Sequence, residues 1–238
     1  MVLHELPTGI AYALTFVAMG LVGLCVMAVA YFPLRGKPTY LVILTTIAIG
    51  VIVENLALNI WGPLPTSLPS PLALPPLRIA GAVITAHQLF IFAATGTVLL
   101  LQYLFLRHTR FGVMMQATSQ DLEMARLVGI RVNRAIAVAF MLGSALSSVA
   151  GLLVTPLFLA DPTMGGILGL KAFVVSVIGG FGNPPGAVLG GLALGIVETF
   201  GARYISSDYR DAYAFLIMIL VLFLRPRGLF GERVSERV

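Results

Sequence analysis

The sequence has 238 residues, 58% of them hydrophobic and only 11% charged, and its mean hydropathy is +0.98. A soluble domain carries roughly 25% charged residues, so this chain cannot cover a water-facing surface. The formal net charge of +5 comes from basic residues gathered in a few short connections rather than along a stripe, which speaks for membrane orientation and against nucleic-acid binding.

Met1 to Gly9 has no basic leader region, and the first apolar stretch is long enough to stay in a bilayer, so no cleavable signal peptide is expected. Seven apolar segments follow, at 10–32, 40–60, 87–106, 135–155, 167–181, 186–203 and 212–224. Most approach the roughly 20 residues that cross a ~30 Å hydrocarbon core. They predict an all-α, polytopic transmembrane helical bundle of about seven spans, with 1–238 as a single membrane domain. Cys25, the single cysteine, lies inside the first segment and can form no intramolecular disulfide.

The connections orient the spans. Arg35 and Lys37 follow the first segment, the stretch from Arg107 to Arg134 holds five arginines against Asp121 and Glu123, and Arg225, Arg227, Arg233 and Arg237 follow the last segment. The alternate connections are poor in basic residues. The positive-inside rule therefore makes 107–134 a cytoplasmic loop and puts the amino terminus outside. Gly62 to Pro76, with six prolines in fifteen residues, cannot form regular helix. It is expected as an external loop, either a contact surface for an outside partner or a stiff connector.

Within 107–134, the run Thr118 to Gly129 predicts a short helix. Thr118 or Ser119 can cap its start, Asp121 and Glu123 suit the positive end of the dipole, Arg126 suits the other end, and Gly129 suits a left-handed C′ position. This helix is too polar for the bilayer. It is available to a cytoplasmic partner, or it is a solvated loop helix whose arginines meet anionic headgroups of membrane lipid.

The segment 167–181 is short, and the following Gly182, Asn183, Pro184, Pro185 and Gly186 cannot continue a helix. Two readings stay open: a broken span, of the kind that marks transport sites, or a tight turn between two short helices. Small residues recur at intervals of four at Gly143, Ser147 and Gly151 and at Ala187, Gly191 and Gly195, a spacing that permits close helix approach in lipid.

Ionisable or polar groups inside apolar segments are costly in hydrocarbon and should face protein or water. Glu54, Asn55, Lys171 and Glu198 are therefore candidates for a translocation pathway. Alternatively, Lys171 and Glu198 snorkel from positions near span ends, and Glu54 is hydrogen-bonded between helices. His4, His87 and His108 lack metal-ligand spacing, no phosphate-binding GxxxxGK[ST] is present, and no nucleophile–base pair lies at helical spacing. No catalytic residue, metal or cofactor is expected.

Several stretches together resemble the membrane permeases of bacterial branched-chain amino acid ABC importers. They are AYFPLRGKPTYLVILTTIAIGVIVENLALNIWG from Ala30, RFGVMMQATSQDLEMARLVGIRVNRAIAVAFMLGSALSSVAGLL from Arg110, GLKAFVVSVIGGFGNPPGAVLGGLALGIVET from Gly169, and the ending RPRGLFG. The resemblance implies a non-enzymatic, multi-pass permease domain in the bacterial cytoplasmic (inner) membrane. The implied partners are a second permease subunit, as a homo- or heterodimer, two cytoplasmic ABC ATPases and an external substrate-binding protein. It also implies that the cytoplasmic helix couples to an ATPase through the family's E-A-A-x3-G pattern, which stands here as Glu123, Met124, Ala125 and Gly129, with Met in the middle position. Members ordinarily carry a further hydrophobic span ahead of the part matched by 1–31, which is not seen in this sequence. Permeases for urea, amides or other small solutes share the architecture, and a stand-alone secondary transporter is a further alternative.

Overall fold

A computed structural model describes residues 8–68, 77–79, 82–180, 182–225 and 228–229. His4, Phe181, Arg227, Arg233, Arg237 and the Pro-rich run beyond residue 68 up to Pro76 lie outside the described residues. Every apolar segment is a helix. α1 (Thr8–Val26) continues into a π-helical turn (Met27–Tyr31), followed by α2 (Thr39–Trp61), α3 (Ala86–His108), α4 (Arg110–Gln120), α5 (Leu122–Leu127), α6 (Val132–Phe158), α7 (Met164–Gly179), α8 (Pro184–Tyr204) and α9 (Arg210–Leu224).

Five described helices are long and apolar enough to cross a membrane: Gly9–Tyr31, Tyr40–Trp61, Ala86–His108, Val132–Phe158 and Pro184–Tyr204. α7 and α9, with 16 and 15 residues, reach only about 24 and 22 Å at 1.5 Å per residue. The fold is an all-α polytopic bundle with a minor β element: the antiparallel pair β1 (Leu77–Ile79) and β2 (Ala82–Ile84) sits between α2 and α3.

The helices group into two compact units, residues 1–162 and 163–238. In the first, α1 packs on α6. A β-carbon on Gly20 would lie 3.3 Å from Met141 Cγ and one on Gly23 would lie 2.5 Å from the Phe140 carbonyl, so glycine lets these two backbones close up. The intervals of four noted in the sequence mark such contacts only in part: Ala187 and Gly191 meet Gly179 and Val175 of α7, whereas Gly143, Gly151 and Gly195 have nothing within 4 Å of where a β-carbon would stand. A stripe shows which residues share a helix face; it does not show which face meets a neighbour.

Two connections in this unit lie at the same end. Thr66 and Ala160 exchange backbone hydrogen bonds (2.9 and 2.7 Å), and the ring of buried His87, at the start of α3, bonds the Leu153 carbonyl near the end of α6 (Nε2–O 3.1 Å). Thr66 and the start of α3 therefore lie at the same end as Ala160 and the end of α6, and the arginine-rich stretch joins the opposite ends of α3 and α6.

In the second unit α7 and α8 form a helical hairpin. Gly179 abuts Gly186 and Ala187, and Gly190 abuts the Val175 carbonyl, so residue numbers rise along one helix as they fall along the other. The core here is Val174, Ile178, Leu194, Ala214 and Val221. Asn183 N–H donates to the Gly180 carbonyl (3.2 Å), and the helix that follows, α8, is long, with 21 residues. Asn183 caps α8 by accepting from the Gly186 N–H (3.1 Å), and Pro184 and Pro185 occupy the first turn, where a missing N–H costs nothing.

Candidate functional site

The arginine-rich connection folds as two helices where the sequence suggested one. Thr109 ends α3 and caps α4, its hydroxyl accepting from the Gly112 N–H (3.0 Å). Gly112 fits because a β-carbon there would strike the Phe105 carbonyl at 2.4 Å. Thr118 and Ser119 are not caps. They lie within α4 and donate their hydroxyls back to the carbonyls of Met114 (2.7 Å) and Gln116 (2.8 Å).

The cap of α5 is Asp121. Its backbone is extended, and Oδ1 accepts from the N–H groups of Glu123 (3.0 Å) and Met124 (2.9 Å). Its carboxylate thus meets the positive end of α5 directly, a better partner than a hydroxyl. Glu123 follows in the first turn and Arg126 lies in the last.

Gly129 ends the helix as expected. With φ +81° it adopts the left-handed conformation that glycine enters without a β-carbon penalty. Its N–H donates to Arg126 O (3.0 Å) and the Ile130 N–H donates to Ala125 O (2.9 Å), the paired bonds of a Schellman end. Ala125 is buried beneath, while Leu122, Met124, Leu127 (81% exposed) and Val128 (73%) stand outward. A six-residue helix fixed at both ends therefore offers an apolar cluster amid Arg107, Arg110, Arg126, Arg131 and Arg134.

The second constellation lies in residues 163–238. Lys171 Nζ stands 2.9 Å from Glu198 Oε1, 3.1 Å from Oε2 and 3.0 Å from Asp211 Oδ1, and Arg210 Nε lies 3.4 Å from Glu198 Oε2. Lys171 is in the middle of α7, and it reaches across to α8 and α9 because a nearly buried carboxylate, with a side chain 9% exposed, needs a counter-charge more than lysine needs bulk water. Sequence reasoning missed Arg210 and Asp211. Two opposite charges immediately before the last apolar segment were the available signal. Lys171 and Asp211 also border a recess otherwise lined by Ile167, Leu170, Val174, Ala214 and Phe215.

Glu54 and Asn55 lie on α2. Asn55 turns its amide back to the Val51 carbonyl of its own helix (2.8 Å), and Glu54 is half-buried. Among the described residues no cluster of His, Cys, Asp and Glu could hold a metal ion.

Comparison with known proteins decides what kind of molecule carries these features. The family model described as "Branched-chain amino acid transport system / permease component" matches residues 1–222. The chain belongs to this permease family. Within it, the chain is 35% identical over 233 residues to the high-affinity branched-chain amino acid transport system permease protein BraD of Pseudomonas aeruginosa, covering 96% of this chain and 76% of that protein. It is 34% identical over 244 residues to LivH of Escherichia coli K12, covering 97% and 79%. A more distant similarity, 30% over 137 residues and 54% of this chain, extends to the ribose import permease protein RbsC of Escherichia coli K12. No solved structure matches. As a member of this permease family the chain is a multi-pass protein of the inner membrane, and its task is passage of solute rather than chemistry on it.

Proposed function

We propose that this permease is one half of the membrane core of an ATP-driven importer of branched-chain amino acids. A second permease subunit, two cytoplasmic ATPases and an external substrate-binding protein complete the machine. In this reading the end bearing 107–134 is cytoplasmic, α5 is the coupling element, and the opposite end, with loops 61–86 and 156–162, faces the binding protein. Closure of the ATPase pair on ATP moves α5 as a rigid peg, and the shift passes through α4 into α3 and through Ile130 and Arg131 into α6. The pathway alternates between outward and inward openings, and the charged groups on α7, α8 and α9, with Glu54 and Asn55 on α2, are its candidate polar lining.

The observation that carries the reading is α5 itself. Both ends are locked by their own hydrogen bonds, and its outward face holds Leu122, Met124, Leu127 and Val128. Such an element transmits a push without unravelling. The test is co-expression with candidate ATPases and capture of the complex, wild type against a Glu123→Lys, Gly129→Trp double variant. The wild type is expected to retain the ATPase and the double variant to lose it. Equal retention by both would contradict the docking assignment.

A further inference from the structure

The network around Lys171 has a property that a purely structural ion cluster does not need: it borders an apolar recess with one charge of each sign. Lys171 is the eighth of the sixteen residues of α7, and its side chain is 24% exposed. An ammonium part-way along a membrane helix cannot be left to hydrocarbon, so the face it shares with Asp211 opens onto water or a protein-lined space.

The four charges divide into a fixed pair and an exchangeable one. Glu198, nearly buried, is held by both Lys171 and Arg210, whereas Asp211, with 62% of its side chain exposed, is held to Lys171 through one oxygen at 3.0 Å. Asp211 can therefore leave Lys171 without stranding a buried charge. A molecule that brings its own carboxylate to Lys171 and its own ammonium to Asp211 keeps every charge paired. Beside this couple the walls are apolar: Leu170 and Val174 from α7, Ala214 and Phe215 from α9. The recess is about 70 Å³, roughly half of the ~150 Å³ cavity that accepts a benzene ring. It suits a short aliphatic side chain.

We propose that Lys171, Asp211 and this recess form a transit site for the zwitterion of an aliphatic α-amino acid. The α-carboxylate replaces Asp211 on Lys171, the α-ammonium is received by Asp211, and the side chain enters between α7 and α9. Glu198 and Arg210 are positioning residues, which hold Lys171 in place and charged while its partner changes. The proposal rests on the importer reading and adds to it where the solute stops.

The experiment uses the permease assembled with its ATPases and binding protein in proteoliposomes, with labelled leucine as solute and ATPase retention as a parallel readout. Asp211→Asn should lower leucine uptake about tenfold while the ATPases stay bound. Asp211→Glu keeps a carboxylate opposite Lys171 and should restore most of the uptake. Phe215→Ala, which widens the recess, should raise phenylalanine uptake relative to leucine. Wild-type uptake by Asp211→Asn, or uptake by Asp211→Glu no better than that of Asp211→Asn, would overturn the proposal. A wild-type chain that retains no ATPase would instead overturn the importer reading on which the proposal stands.

Discussion

Gly228 lies against Gly180: a β-carbon on Gly228 would stand 2.6 Å from the Gly180 nitrogen and 2.7 Å from both its α-carbon and the Val177 carbonyl. Both glycines have positive φ, +78° and +96°, and the next residue, Leu229, donates its N–H to the Ile178 carbonyl at 2.8 Å. The segment that follows α9 thus returns to close the carbonyl end of α7, which would otherwise hold unpaired acceptors.

This contact predicts that Gly228→Ala destabilises the protein by about 1–3 kcal/mol, from the steric clash and the left-handed backbone together. Thermal unfolding in detergent should show a transition lowered by several degrees. Gly143→Ala, at an open helical position, should leave it unchanged or raised.

Asp121 is the single side chain that starts α5, so Asp121→Ala should cost about 0.5–2 kcal/mol of local stability. The effect is confined to a six-residue helix and should appear in hydrogen exchange as faster exchange at the Glu123 and Met124 amides, with global stability nearly unchanged. Asp121→Asn or Asp121→Ser, each able to accept the same bonds, should restore most of the protection. Thr118→Ala, by contrast, should leave those amides as they are, since Thr118 bonds within α4.

Each member of the central pair keeps one other partner, Asp211 for Lys171 and Arg210 for Glu198. Lys171→Met should therefore lower stability by about 1–3 kcal/mol, less than the loss for a buried charge left with no partner. Adding Glu198→Gln should return part of that loss. Folded yield in detergent for the two single variants and the double variant gives the comparison.

The parts of this molecule that were legible in the sequence are those whose signal is local. Apolar runs of sufficient length declare α1, α2, α3, α6 and α8, Gly129 declares the end of α5, and the Pro-rich run after Trp61 declares a break. α4 was hidden because RFGVMMQATSQ alternates polar and apolar residues without a long run of either. The start of α5 was misplaced because Thr118, Ser119 and Asp121 are all competent caps, and only the course of α4 decides among them. The charged cluster needs residues 27 apart on α7 and α8 together with the start of α9. No spacing rule shows such a meeting, and Lys171 and Glu198 could be suspected only one at a time, from the cost of charge in lipid.

The central claim is that α5 faces the cytoplasm and receives an ATPase. It is tested most directly by labelling Leu127→Cys, in a Cys25→Ala background, with a membrane-impermeant thiol reagent. The account predicts no labelling in intact cells, strong labelling of inverted membrane vesicles, and protection in those vesicles when the ATPases are co-expressed. Labelling of Leu127→Cys in intact cells would put the arginine-rich end outside and contradict it.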